Sequence, residues 1–367
     1  MAYLALYRKF RPTTFDEVIG QDHITKTLIN QINKGSIGHA YLFTGSRGTG
    51  KTTCAKIFSR AVNCLNPKNG SPCGECEVCK ALSEANSVDI LEIDAASNNR
   101  VDEIRELREK IKYPPIHGKY KVYIVDEVHM LTDSAFNALL KTLEEPPKHA
   151  IFILATTEVH KLPATILSRC MRFDFRLVST TLLSELLKKI FKLSNILYDD
   201  QSVEAIAAAG EGSVRDTLSI ADCVVAFGNG KVEYETVLNI LGLSDRQSVI
   251  NLAEQIIDGN VGGVLDEINS SYNLGKNLIV LAKNMTVHFR DLLVIKNCKD
   301  SKTILNQPQD IYEKLKSQAD KVTAKRLLEY MQKFSSIEAE LKYSLNPRVL
   351  VEVVSLECAS LDDLKKN

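Results

Sequence analysis

The chain has 367 residues, 44% of them hydrophobic, and its 46 lysines and arginines are matched by 46 aspartates and glutamates. That length gives room for two or three domains, the apolar share is enough for packed cores, and a zero net charge excludes steering to nucleic acid by the molecule as a whole. No apolar run is long enough to cross a bilayer, and "MAYLALYRKFRP" reaches Arg8, Lys9 and Arg11 before a secretory core could form, so a cytoplasmic protein with no membrane partner is expected.

In chain order, the first strong element is "HAYLFTGSRGTGKTTCAKIFSRAVN", a short apolar strand, a glycine-rich loop and a helical stretch. This is the context that a G-x-x-x-x-G-K-[ST] phosphate loop requires, and Gly45, Ser46, Arg47, Gly48, Thr49, Gly50, Lys51, Thr52 and Thr53 are its nucleotide-binding residues. Glycines let backbone amides curl around an anion, and the helix amino terminus adds partial positive charge. Lys51 reaches the terminal phosphates, and the Thr52 hydroxyl can ligate magnesium.

Next come four thiols, Cys64, Cys73, Cys76 and Cys79, on a polar, hairpin-like stretch with Pro67, Gly70, Pro72 and Gly74 supplying turns. In a reducing compartment such a cluster reads as a metal site, and four protein ligands leave no open position, so the expectation is a structural zinc. Unliganded thiols, an iron–sulfur cluster or a redox switch are the alternatives that the spacing leaves open. A DNA-reading finger is a weaker alternative, because Glu75, Glu77 and Lys80 are the nearby charges and no basic recognition helix follows.

Further strands are expected at "SVDILEID", "KVYIVDEVHM", "HAIFILATT" and "CMRFDF", with "RVDEIRELREKI" and "DSAFNALLKTLEE" as intervening helices. Alternating strands and helices predict an α/β fold, a mostly parallel sheet covered by helices on both faces. Asp126 and Glu127 end one strand, where ligands bind in such sheets. Paired with the phosphate loop, Asp126 is expected to hold magnesium through water and Glu127 to orient or deprotonate an attacking water. After about Phe175 the strand signals fade. Helical patterns such as "TTLLSELLKKIF" and "VRDTLSIADCVVAF" predict a small helical second domain, and the remainder reads as a third, all-helical one. No repeat or low-complexity tract is visible.

"YRKFRPTTFDEVIGQDHI", "GSRGTGKTT", the four-cysteine insert, "DEVHMLTDSAFNALLKTLEEPP", "ATTE", "LPATILSRC" and "GSVRDTLS" occur in an order that resembles the gamma/tau family of bacterial DNA polymerase III clamp-loader subunits, which are AAA+ ATPases. The likeness spans essentially the whole chain. It implies an AAA+ ATPase domain over 1–177 with the insert at 64–79, a helical lid over 178–242 and an all-helical collar over 243–367. It implies ATP, magnesium and zinc as cofactors, and delta- and delta-prime-type subunits, further copies of the chain, the sliding clamp and primer–template DNA as partners.

The resemblance also implies roles for individual residues. Tyr7, Arg11, Pro12 and Val18 resemble the segment that folds over the adenine, whereas from the residues alone they form only the start of a capped helix, with Thr14 or Asp16 near the cap. Thr157 resembles the first sensor of the terminal phosphate, and Arg215, next to Val214 in "GEGSVRD", resembles the second. Arg169, in "SRC", resembles the arginine finger offered to a neighbour's nucleotide. Arg100 and Arg105 would face DNA backbone in a central chamber, although the family's basic residues just before them are replaced here by Asn98 and Asn99, and a mixed-charge solvated helix fits the same residues. The insert would lie on the outer surface, away from the nucleotide, where its zinc stiffens a loop or supports a subunit contact.

Two rival readings have their own signatures. A branch-migration motor of the same superfamily would carry a winged helix at the carboxyl end, where "SLNPRVLVEVVSLECASLDDL" reads as a helix. A non-hydrolysing stator would have a corrupted phosphate loop, whereas Lys51 and Thr52 are intact. The sequence leaves open whether the chain is a short gamma form or part of a longer tau form.

Overall fold

The computed structural model describes residues 4–83, 87–97, 101–241, 246–305, 309–341, 343, 344 and 346–360. The chain divides into two compact units, Met1–Thr236 and Val237–Asn367. In the first, α1 (Leu6–Lys9) and α2 (Asp22–Lys34) precede β1 (Ala40–Thr44), α3 (Lys51–Ala61) and α4 (Glu77–Ser83). There follow β2 (Ile90–Asp94), α5 (Val101–Ile111), β3 (Lys121–Asp126), α6 (Asp133–Glu144), β4 (Ala150–Thr156), α7 (Ala164–Leu167) and β5 (Met171–Asp174).

All five strands run parallel in the order β2-β3-β4-β1-β5. Side chains alternate across the sheet, and both faces are buried, which is why the strands read as near-continuous apolar runs. Tyr41, Phe43, Ile124, Ile153 and Phe173 pack with Ile24, Leu28, Ile57 and Phe58 of α2 and α3. Leu42, Tyr123, Val125, Phe152 and Leu154 face the other way, onto Leu107 of α5 and Phe136 and Leu139 of α6. Thr44 lies opposite Thr156, and Asp94 opposite Asp126, so the polar strand ends come out along one edge.

The strands and intervening helices fall where the hydrophobic pattern places them. Beyond β5 the unit continues with α8 (Thr180–Leu193), β6 (Leu197–Tyr198), α9 (Asp200–Ala209), α10 (Val214–Phe227) and β7 (Lys231–Val232). The helices are as expected. The parallel β6-β7 pair is not, because two residues per strand are too few to show a period of two. Helix α11 (Tyr234–Leu241) comes next.

The described residues of the second unit form α12 (Arg246–Ile257), α13 (Val261–Asn273), α14 (Leu278–Asn297), α15 (Ser301–Leu305), α16 (Gln309–Lys321), α17 (Ala324–Leu341) and α18 (Pro347–Ala359). Its core is built on α14, whose Met285, Phe289 and Leu292 are buried with Tyr330 and Phe334 of α17. Burial pushes His288 down to about 4, so the ring is neutral, and it meets the Gln318 side chain at 2.8 Å. No helix among the described residues is long and apolar enough to cross a membrane.

One buried carboxylate ties the loop after α5 to the sheet. Asp89, just before β2, accepts backbone N–H bonds from Ile116 (2.8 Å), His117 (2.7 Å) and Gly118 (3.0 Å). Burial favours the protonated form, but these three donors outweigh it and hold the carboxyl below the usual range. A lowered folded-state pKa stabilises at neutral pH and loses that contribution as pH falls through it. Asp89→Asn is therefore expected to cost about 2 kcal/mol in urea unfolding at pH 7, with the gap to wild type closing below about pH 4.

Candidate nucleotide site and cysteine cluster

The phosphate loop is a tight turn between β1 and α3 that needs its glycines. Gly45 has φ 140°, and a Cβ there would come within 2.4 Å of the Phe175 carbonyl oxygen. Gly48 (φ 75°) and Gly50 (φ 103°) are also left-handed, and Lys51 opens α3. The loop residues Ser46 and Arg47 are exposed, whereas Thr49 is buried and donates its hydroxyl to the Ser46 carbonyl at 2.8 Å. Lys51 is 6% exposed and donates to the carbonyls of Gly45 (2.7 Å) and Ser46 (2.9 Å). Burial lowers its pKa, opposed by the charges of Glu127 and Asp126.

Asp126 and Glu127 come to this loop from β3. The Thr52 hydroxyl donates to Asp126 Oδ2 at 2.8 Å, an arrangement of hard oxygen donors that fits magnesium. Glu127 is left-handed (φ 47°), which turns its side chain across the strand ends to β4. There Thr157 donates to Glu127 Oε2 from both its hydroxyl (3.0 Å) and its backbone N–H (3.2 Å). Such a group can bind phosphates, hold a cation and present a carboxylate to a water at one sheet edge.

Two further parts of the first unit close on the loop. Arg11 Nε donates to the Thr53 hydroxyl at 3.2 Å, and the fully buried Gln21 side chain donates to the carbonyls of Thr49 (3.4 Å) and Arg176 (2.7 Å). Pro12 and Val18 lie half-buried on the same N-terminal segment. From the other side, Ser213 caps α10 by accepting from the Asp216 N–H, and the Val214 N–H donates to the Gly48 carbonyl at 3.1 Å. The Arg215 guanidinium lies 5.5 Å from the centre of the Tyr7 ring. The structure thus brings together Tyr7, Arg11, Gly45–Thr53, Asp126, Glu127, Thr157, Val214 and Arg215.

Arg169 is elsewhere. It precedes β5, whose first residue, Met171, pairs with Tyr41 at the start of β1, while the phosphate loop follows the end of β1. At about 3.3 Å per residue, that strand alone separates them by about 10 Å. Arg169 donates to Glu144 Oε1 (2.7 Å) at the end of α6 and to the Thr165 carbonyl (2.8 Å). Arg100 lies outside the described residues; Arg105 falls within α5, and its side chain is likewise outside them.

The cysteines converge as their spacing predicts. The four sulfurs lie within 4.8 Å of one another, with Cys73 and Cys79 Sγ 3.9 Å apart. Four thiolates around one zinc, at bonds of about 2.3 Å, would sit about 3.8 Å apart, so the set fits a tetrahedral ion and no sulfurs are joined as disulfides. Backbone N–H groups of Cys73, Cys76 and Cys79 point at Cys64, Cys73 and Cys76 sulfurs at 3.3–3.4 Å. Those of Cys76 and Glu75 pull the Cys73 thiol down to about 6, favouring the thiolate that binds metal.

Some neighbours were not legible in the motifs. His129 is half-buried between Thr156 Oγ1 (3.0 Å), Glu127 Oε2 (3.4 Å) and Glu158 Oε1 (3.4 Å); its place two residues after the acidic pair was the available signal. Gln21 and Glu144 gave none, because their partners are distant in sequence.

The contact between α10 and the loop depends on Gly48 having no side chain. A Cβ there would come within 2.0 Å of Ser213 Oγ and 3.2 Å of Arg215 Cβ, on a backbone that disfavours one. Gly48→Ala is expected to lower stability by about 1–3 kcal/mol in urea unfolding and to increase protease cleavage near residues 210–214.

Residues 20–179 match the family described as "DNA polymerase III, delta subunit", 183–230 "DNA polymerase III clamp loader subunit, ATPase lid domain", and 232–367 "DNA polymerase III subunits gamma and tau domain III". The chain is 44% identical over 353 residues to DNA polymerase III subunit tau of Bacillus subtilis, covering 96% of this chain and 62% of that protein. It is 38% identical over 363 residues to DNA polymerase III subunit gamma/tau of Mycobacterium tuberculosis, covering 98% and 62%. The chain thus spans about three fifths of the length of these two relatives. The shorter DNA polymerase III subunit gamma of Buchnera aphidicola is 42% identical over 257 residues, which are 70% of this chain and 71% of that one. Identity of that degree, carried through most of a relative's own length, leaves one conclusion: the chain belongs to the DNA polymerase III gamma/tau subunit family.

Proposed function

We propose that the chain is an ATP-driven motor subunit of the bacterial replicative clamp loader, acting in the cytoplasm to open the sliding clamp and load it on primer–template DNA. The observation that supports this best is the pair of side-chain bonds at one sheet edge, Thr52 to Asp126 (2.8 Å) and Thr157 to Glu127 (3.0 Å), beside an intact phosphate loop. In this reading residues 1–177 are the ATPase domain, 178–242 the lid and 243–367 a collar for assembly with delta- and delta-prime-type subunits and further copies of the chain.

The backbone amides of Gly45–Thr53 would wrap the phosphates, and Lys51 would turn its ammonium from the loop carbonyls to the terminal phosphates. A magnesium ion held by Thr52 and, through water, by Asp126 would offset charge on those phosphates. Glu127 would orient or deprotonate the attacking water. Thr157, which shares the Glu127 carboxylate, would respond to the terminal phosphate, as would Arg215 from the lid. Tyr7, Arg11, Pro12 and Val18 would cover the adenine. Arg100 and Arg105 belong to the same reading as contacts to DNA backbone, and the four cysteines as ligands of a structural zinc.

Arg169 would complete the site of a neighbouring subunit, neutralising charge that develops on the transferred phosphoryl group. Its place at the opposite end of β5 from its own phosphate loop supports action across a boundary. Glu144, which pairs with it here, would have to release it.

Two experiments test this. Lys51→Ala is expected to abolish ATP binding measured by calorimetry, whereas Glu127→Gln keeps binding within a few-fold and loses turnover by about 100-fold or more; equal loss of binding in both would overturn the division of roles. Arg169→Ala chains are expected to bind ATP and assemble but to lose DNA- and clamp-stimulated hydrolysis by about 1000-fold. Mixed with Lys51→Ala chains, they should regain part of it, since some neighbours then pair an intact loop with an intact arginine. No recovery despite verified co-assembly would place Arg169 in its own subunit's chemistry or in structure alone.

A further inference from the structure

We propose that the cysteine insert is a support for the N-terminal segment, so that metal occupancy sets affinity for the base end of the nucleotide and not for its phosphates. The inference rests on the nucleotide reading above and makes Ser71 a positioning residue. The Phe15 N–H donates to Ser71 Oγ at 3.0 Å, and both residues are buried, at 2% and 3% exposure. Phe15 begins a short turn, Phe15–Glu17, on the stretch between Pro12 and Val18. Ser71 lies at the tip of the insert, two residues before Cys73.

The tip is held firmly in place. Lys68 and Ser71 exchange two backbone bonds, each 2.9 Å. Gly70 (φ 73°) leaves so little room against α2 that a Cβ would come within 2.9 Å of Ile29. The next turn is held through sulfur, by the Cys73 N–H on Cys64 Sγ at 3.3 Å. An ion joining Cys64 and Cys73 would therefore close the very loop that presents Ser71.

On the other side, the N-terminal segment is pinned at both ends to the phosphate-binding elements, by Arg11 on Thr53 and by Gln21 on Thr49. Its middle is held by the Phe15 ring in the core and by the insert, through the bond from the Phe15 N–H to Ser71. Losing the Ser71 bond would leave a buried N–H without a partner and loosen the backbone on either side of the anchored Phe15 ring, while the pinned ends keep the phosphate loop as it was. The geometry therefore separates two parts of one ligand. The base end depends on the insert, and the phosphate end does not.

The test uses the full chain, with ATP and inorganic tripolyphosphate as probes in calorimetry, on zinc-loaded wild type, chelator-stripped wild type, Ser71→Ala and Ser71→Thr. Metal analysis is expected to find about one zinc per chain in the loaded protein and in both variants. Stripping and Ser71→Ala should each weaken ATP binding about tenfold, leave tripolyphosphate within about twofold, and Ser71→Thr, which restores the hydroxyl, should bind ATP within a few-fold of wild type. Thermal melts confirm that the compared proteins are folded. Equal weakening of both probes would make the insert a general stabiliser and overturn the inference, as would ATP binding indifferent to both metal and Ser71. A native protein without zinc overturns the metal's part in it. If loaded wild type binds neither probe, the nucleotide reading itself fails; if it binds both and only the selectivity is missing, that reading stands and this one falls.

Discussion

The register of β1 in the sheet is the constraint on which the first unit's candidate site depends. With Thr44 opposite Thr156 and Asp94 opposite Asp126, the strands end level, and everything polar that follows them emerges along one edge. A slip of one residue would turn Tyr41 and Phe43 from the α2 and α3 face to the α5 and α6 face, at the cost of two buried aromatic rings. The hydrophobic core therefore fixes the geometry of the candidate site more firmly than any hydrogen bond within it. The Thr52–Asp126 and Thr157–Glu127 bonds are short-range consequences of strands aligned by packing.

Much of this was legible in the sequence because it is written locally. A phosphate loop declares itself in eight residues, and an acidic pair after an apolar strand in a few more. The cysteine spacing carried its own geometry, since two-residue gaps suit N–H groups that turn back on the preceding sulfur. What stayed hidden were contacts whose partners are distant in the chain. Gln21 with Arg176, Glu144 with Arg169, and Phe15 with Ser71 are each set by how layers stack, and no window of sequence contains both members. His129 lies inside a motif, but what marks it is its place between Glu127 and Glu158, which only the fold brings about.

The lid contact shows how sparse such coupling can be. Helix α10 touches the phosphate loop through a capped amino terminus, with the Val214 N–H on the Gly48 carbonyl. An unpaired helix N–H thereby finds a partner on the element that would cradle phosphates. The Leu6 N–H also donates to Asp222 of α10, at 2.8 Å, so the same helix holds the start of the chain. Motion of α10 would thus be felt by both the loop and the N-terminal segment.

Arg169 precedes β5 and the phosphate loop follows its parallel partner β1, so the two lie at opposite ends of one strand pair, and that has a combinatorial consequence. Under the role proposed for Arg169, the loop is a socket at one end and the arginine a plug at the other, so copies would join head to tail, through unlike surfaces. Any open row of such molecules has one unplugged socket and one idle plug, so its end members are chemically unequal even when their sequences are the same. Direction along the row is then a property of the assembly that no single chain possesses, and a terminal subunit of another kind could supply the missing half.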